Sequence, residues 1–200
     1  MSQISQAEAD KFFIESFRIK KDKCGGMIWW NIMDCWPQFS DSVVDYYFVK
    51  KLAYHYITLS QQQFLCAMDD KNGTLDGWAI NDYPFEFEFD YKITNTESGK
   101  VEFDGSLTIP EDGVIKLFSA KKPADNIFYK IEWTIRPGTE TDFIEKKSGI
   151  NHYFCFDKTI DFEYYTEKMS NIPEYRFEGF GEEVSQRFAE QRQNYATVNA

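Results

Sequence analysis

Residues 28–37 read IWWNIMDCWP and hold three tryptophans, an amide and a carboxylate in ten positions. Broad aromatic faces beside a few polar anchors are the materials of a small-molecule pocket. A buried strand is the competing use for the same tryptophans. It accounts for Trp29 or Trp30, but poorly for Asn31, Asp34 and Trp36 together. From the residue types alone both uses stay open.

Other residues able to do chemistry are scattered. Glu8 and Glu15 lie on an expected helix and read as solvated charges. Glu86, Glu88 and Asp90 alternate with phenylalanines and read as the wet face of a strand. Asp69, Asp70 and Asn72 lack the spacing and distal glutamate of a calcium loop, so they read as a turn. His55 and His152 have no serine or cysteine at triad spacing. Cys24, Cys35, Cys66 and Cys155 form no CxxC and have no histidine at zinc spacing, so they read as reduced or buried thiols. No catalytic residue, metal or cofactor is assigned on these grounds.

Composition bounds the partners. A net charge of −11 over 200 residues argues against nucleic acid and anionic membranes, both of which need a lysine- or arginine-rich surface. No apolar run reaches the roughly 18 residues of a membrane span, and MSQISQAEAD lacks the basic and apolar regions of a signal peptide. Aromatics at 18% and hydrophobics at 42% predict a folded core.

Two textures must position the tryptophan run. Ser5-Gln6-Ala7-Glu8 fits a capping box, and Ala9, Phe12, Phe13 and Phe17 then share a helical face, ended by Gly25-Gly26. MIWWNI suits a strand buried on both faces, and Val44, Tyr47, Phe48, Leu52 and Tyr56 suit a second helix. From about residue 61 the period becomes two: Phe85 to Ile93, Val101 to Ile109 and Ile127 to Ile135 alternate apolar with polar. DKNG, ESGK, PEDG and RPG separate the runs. About seven short strands of this kind describe an antiparallel sandwich of immunoglobulin type, with Trp133 in its core. The expected fold is therefore mostly β: an α–β–α piece over 1–58, a sandwich over 59–168, and a tail or docked helix over 169–200.

The run from Gly25 to Ile57 resembles the end of the catalytic barrel in family 2 glycoside hydrolases, especially their β-mannosidase-like branch. Trp30, Asn31, Asp34, Trp36, Pro37, Ser40, Asp45, Tyr46 and Lys51 match that branch's last strand, loop and helix. The resemblance spans roughly residues 5–168, with NHYF at 151–154 and IDFEYY at 160–165 as the closing strand and exit of a mannosidase-type sandwich. Asp41 stands where the branch usually has another tryptophan.

The resemblance implies that residues 1–58 are the last (β/α)8 unit and that Trp30, Asn31, Asp34 and Trp36 bind carbohydrate, a β-mannoside or related glycoside. Tryptophan faces stack on the C–H faces of a pyranose while polar neighbours fix its hydroxyls. Trp30 becomes the sugar platform, Trp29 stays in the core, and Asp34 is either sugar-facing or a loop-fixing acceptor. It also implies a cis Trp30–Asn31 bond. The two glutamates of a retaining site, about 5 Å apart, belong to earlier strands of such barrels. The chain is therefore expected to be a C-terminal piece, inactive alone. One barrel unit leaves apolar faces exposed, and residues 1–58 should pack on the sandwich or bury that face in a homodimer. The alternatives are a carbohydrate-binding module using Trp78, Tyr83 or Trp133, and a purely structural immunoglobulin-like protein.

Overall fold

The computed structural model describes residues 2–138, 140–156, 162–170 and 172. Seven strands form two antiparallel sheets: β1 (Phe64–Lys71), β2 (Thr74–Asn81) and β5 (Val114–Lys121) in the order β1-β2-β5, and β3 (Phe87–Asn95), β4 (Lys100–Ile109), β6 (Ile127–Ile135) and β7 (Ser148–Cys155) in the order β4-β3-β6-β7. This is the mostly β, immunoglobulin-like sandwich that the alternation predicts. The fourth strand pairs with the third, so the sheets divide three and four.

The turn signals are used as read. Asn72 and Gly73 both take positive φ, 53° and 80°, in the two-residue turn joining β1 to β2, which primed hairpin turns require. The calcium-like acids lie beside it: Asp69 accepts from the Trp78 indole at 2.7 Å, and Asp70 from the Tyr153 hydroxyl at 2.9 Å. Phe64, Phe87, Phe89 and Trp133 meet edge to face between the sheets. Trp133 is 4% exposed. Trp78 is half-buried beneath the Lys116 ammonium, and Tyr83 stacks on Phe85, so these rings offer no shared platform. At β4 the register slips opposite Ile93 and Thr94, leaving Val101 exposed rather than in the core.

Residues 2–60 differ more from expectation. Helix α1 is Ser2–Arg18, and its buried residues are Ala7, Lys11, Ile14, Glu15 and Arg18 rather than the phenylalanine face; Phe12 points to solvent. This face is polar because it meets polar groups at the edges of β1 and β7. Glu15 pairs with Lys11 at 2.9 Å and accepts from the Asn151 amide at 2.9 Å, while that amide also reaches the Cys66 carbonyl. Arg18 pairs with Asp82 at 2.7 Å. Glu8 accepts from the Tyr165 hydroxyl and meets His152 Nε2 at 2.7 Å. Glu8 and Glu15 are therefore not solvated charges but ties between α1 and the sandwich. His152 lies in β7, as expected, stacked on Phe128 and edge-on to Tyr56.

MIWWNI forms no regular strand. Just beyond it a parallel bridge joins Met33 to Val44, and among the described residues no strand pairs with the other side of the run. The second helix, α2 (Leu52–Ser60), begins eight residues later than Val44. The Asp45 carboxylate accepts from the Tyr47 and Val49 amides at 2.8 and 2.9 Å and so draws the backbone out of the helix. Phe48 there has φ of 65°.

Both helices pack on the outer face of β6 and β7, joining Ala7, Ile14, Leu52, Ala53, Tyr56 and Ile57 to Phe128 and Ile150 in a second apolar cluster. Of the two expected ways to cover residues 1–58, packing on the sandwich is realised for the helices. The described part of IDFEYY opens a helix, α3 (Phe162–Ser170), whose Tyr165 hydroxyl meets that of Tyr56 at 2.8 Å. The expected tail or helix over 169–200 otherwise lies outside the described residues. None of the four cysteines forms a disulfide; Cys66 and Cys155 are buried and Cys35 is exposed. No described helix is long and apolar enough to cross a membrane.

Two predictions follow from this packing. Burial pushes the Glu8 carboxyl up, but His152, Lys11 and the Tyr165 hydroxyl outweigh burial and bring it from 4.5 to about 2. A carboxyl depressed by folding stabilises the fold above its ordinary pKa, and that contribution fades as pH falls from about 4.5 towards 2. Thermal melts should lose stability across this window, and Glu8→Gln should flatten the profile while costing on the order of 2–3 kcal/mol at neutral pH. Gly149 lies directly opposite Trp133, and a Cβ there would stand 2.2 Å from the indole Cζ2, well inside van der Waals contact. Gly149→Ala should destabilise by about 1–3 kcal/mol in urea unfolding.

Candidate active-site loop

Asp34 is the one acidic group of the tryptophan run, and it is 1% exposed. It is held from three directions. Gln38 Nε2 donates to Oδ1 at 3.1 Å, the Ser40 hydroxyl donates to the same oxygen, and Lys51 Nζ stands 3.3 Å from Oδ2. Lys51 also donates to the Ser40 carbonyl at 3.1 Å and the Ser42 hydroxyl at 2.9 Å. Burial alone would raise the Asp34 carboxyl, but donors from Ser40, Ser42, Gln38 and Lys51 outweigh it and hold the group below the usual carboxylate range. An ionised, fully engaged carboxylate at the base of a loop is an anchor for backbone geometry.

The backbone around it is equally fixed. The Val43 and Val44 amides donate to the Asn31 and Ile32 carbonyls, the Asp34 amide to the Val44 carbonyl, and the Lys51 amide to the Val43 carbonyl. The Trp30–Asn31 peptide is cis, as the resemblance implies. Outside this anchored base, Trp30 is 75% exposed and Trp36 61% exposed, while Trp29 packs partly buried against the helix cluster. Asn31 is half-buried, and its side-chain oxygen has no donor among the described residues.

The four residues proposed from sequence therefore divide. Trp30 and Trp36 present free aromatic surface, Asn31 keeps a buried oxygen without a donor among the described residues, and Asp34 spends its oxygens on the loop itself. That is the loop-fixing use of Asp34, one of the two left open by the sequence. Gln38 and Ser42 were not legible as its partners, since nothing in their spacing marks them; Lys51 and Ser40 were carried by the resemblance. His55 lies on α2, edge-on to Tyr54. Glu8 and Glu15 are committed to His152 and Lys11 behind the helices.

Removing one member of the buried pair should be felt in the loop before the sandwich. Lys51→Met should cost roughly 3 kcal/mol and increase acrylamide quenching of tryptophan fluorescence below the main unfolding transition. An unchanged quenching profile would show that Lys51 does not hold the loop.

No family profile matches the chain. Two curated relatives align over short stretches. β-Mannosidase B of Aspergillus niger is 36% identical over 58 residues, 28% of this chain and 7% of that protein. β-Mannosidase B of Thermothelomyces thermophilus is 53% identical over 34 residues, 17% of this chain and 4% of that protein. Among solved structures, the β-D-mannosidase of Dictyoglomus thermophilum superposes on 77% of this chain with a TM-score of 0.61 and 28% identity. The exo-chitosanase of Amycolatopsis orientalis superposes on 78% with a TM-score of 0.60 at 19% identity, a likeness of fold. The chain spans about a fifth of the length of these solved enzymes, 19% of each. The chain is thus similar, over part of its sequence and most of its fold, to β-mannosidases, the branch of family 2 glycoside hydrolases that its tryptophan motif resembles.

Proposed function

We propose that the chain is the C-terminal portion of a β-mannosidase-like exo-glycosidase, contributing one wall of the sugar pocket and none of the bond-breaking groups. The observation that carries this is the pairing of two exposed tryptophans with a buried, fully engaged carboxylate on one loop. A sugar platform must stay open while its backbone stays still, since a misplaced platform loses the alignment that binding supplies to the reaction. Trp30 would stack on the apolar face of a terminal β-mannosyl residue, with Trp36 beside it. Asp34 would act through the loop, as a positioning residue.

Hydrolysis with retention needs a nucleophile and an acid/base, two carboxyl groups about 5 Å apart. In this reading both come from the rest of the enzyme, and the sandwich braces the barrel. The mannoside preference rests on the relatives' names and on the branch resemblance.

The purified chain should release no p-nitrophenol from an aryl β-mannoside. A chimaera in which this chain replaces the corresponding part of the Dictyoglomus enzyme should turn that substrate over. In it, Trp30→Ala should lower kcat/KM roughly 10- to 100-fold, while Phe12→Ala leaves it within about twofold. Turnover by the chain alone, a natively folded but inactive chimaera, or an indifferent Trp30→Ala would each contradict the proposal.

A further inference from the structure

A cavity of about 340 Å³ lies between α1 and strands β1 and β7, and none of its lining residues belongs to the tryptophan loop. That volume falls in the range of small-molecule sites. Helix α1 contributes Glu8, Lys11, Phe12 and Ser16 to one side, and β7 contributes Tyr153 and Phe154 to the other.

The polar groups of this cavity are incompletely used. The Lys11 side chain is 6% exposed, yet its ammonium donates only to Glu15, so its other N–H groups have no acceptor among the described residues. Glu8 spends Oε1 on His152 and on the Tyr165 hydroxyl, while Oε2 accepts from no described residue. The Ser16 hydroxyl has no hydrogen-bond partner among them either. A buried donor without an acceptor is costly, so a ligand that completes Lys11 is favoured.

Charge selects what that ligand can be. A cation entering the cavity would meet the Lys11 ammonium, and an anion would meet the Glu8 carboxylate, which is ionised at neutral pH. A neutral hydroxyl satisfies both: its oxygen accepts from an ammonium while its hydrogen is donated to a carboxylate. The walls are aromatic, with Phe12 60% exposed at the rim and Tyr153 and Phe154 half-buried behind it. Aromatic faces beside a donor and an acceptor fit the C–H face and neighbouring hydroxyls of a sugar ring.

We propose that this cavity is a carbohydrate-binding site separate from the tryptophan loop, taking one neutral pyranose unit with its hydroxyls on Lys11 and Glu8 and its apolar face on Phe12. A site of this kind anchors a glycan without cutting it. The inference does not depend on the sugar-pocket reading, since no residue lines both places.

Methyl β-D-mannopyranoside titrated into the isotope-labelled full chain should shift the backbone amide signals around Phe12 and Tyr153, with a millimolar Kd. Glucosamine and glucuronate, which put a positive or a negative charge on a similar ring, should each bind at least about fivefold more weakly. Phe12 and Ser16 make no ties between α1 and the sandwich, so their variants should fold. Phe12→Ala should weaken binding roughly tenfold, and Ser16→Ala roughly threefold, with unchanged circular dichroism spectra. Trp30→Ala should leave these shifts intact, which separates failure of this site from failure of the tryptophan loop. No shifts in tens of millimolar sugar, preference for either charged sugar, indifference to both α1 variants, or loss of the shifts in Trp30→Ala would each overturn the proposal.

Discussion

A buried carboxylate with every oxygen engaged is the constraint on which the candidate site depends. Asp34 leaves water only because Gln38, Ser40 and Lys51 replace the hydrogen bonds it gives up. Those donors come from the loop and from the start of α2, so satisfying the charge also ties residues 34, 38, 40 and 51 into one arrangement. Trp30 and Trp36 flank that knot and remain in solvent. Hydrophobic packing could not hold these two side chains in place while leaving them bare. A polar knot beneath them can.

The same logic recurs on a larger scale where the helical segment meets the sandwich. Helix α1 carries lysine, glutamate and arginine on its buried face, each with a partner in reach. The edges of β1 and β7 carry unpaired polar backbone, as the Cys66 carbonyl accepting from Asn151 shows, and a purely apolar helix would leave such groups unsatisfied. Glu8, His152, Tyr165 and Tyr56 extend these ties across α1, β7, α3 and α2. The tryptophan loop is thereby attached to a rigid sandwich through its two flanking helices, and any role in a larger enzyme inherits that rigidity.

Sequence was most informative where a period is enforced by a single buried face. Phe87, Phe89, Tyr91 and Ile93 alternate because the pleat does, and DKNG reads as a turn because Asn72 and Gly73 tolerate positive φ. It failed where partners are distant. Glu8 looks like a solvated helix charge until His152, 144 residues away, is folded against it. The phenylalanines of α1 look like the buried face because apolar periodicity ignores a polar face paired to a sheet edge. Val44 to Tyr56 looks like one helix because periodicity does not register the Asp45 side chain competing for backbone amides. In the site itself, Trp30, Asn31, Asp34 and Trp36 were nameable from their motif, but the division between presenting and anchoring residues needed the geometry.

The central claim is that the tryptophan loop is held still by its buried knot, without a ligand. Backbone hydrogen exchange at Asp34, Val43, Val44 and Lys51 tests it most directly, since these four amides donate within the loop. Protection approaching that of the amides of β3 and β6 is the predicted result. Exchange as fast as in an unstructured peptide, with the sandwich strands still protected, would contradict it.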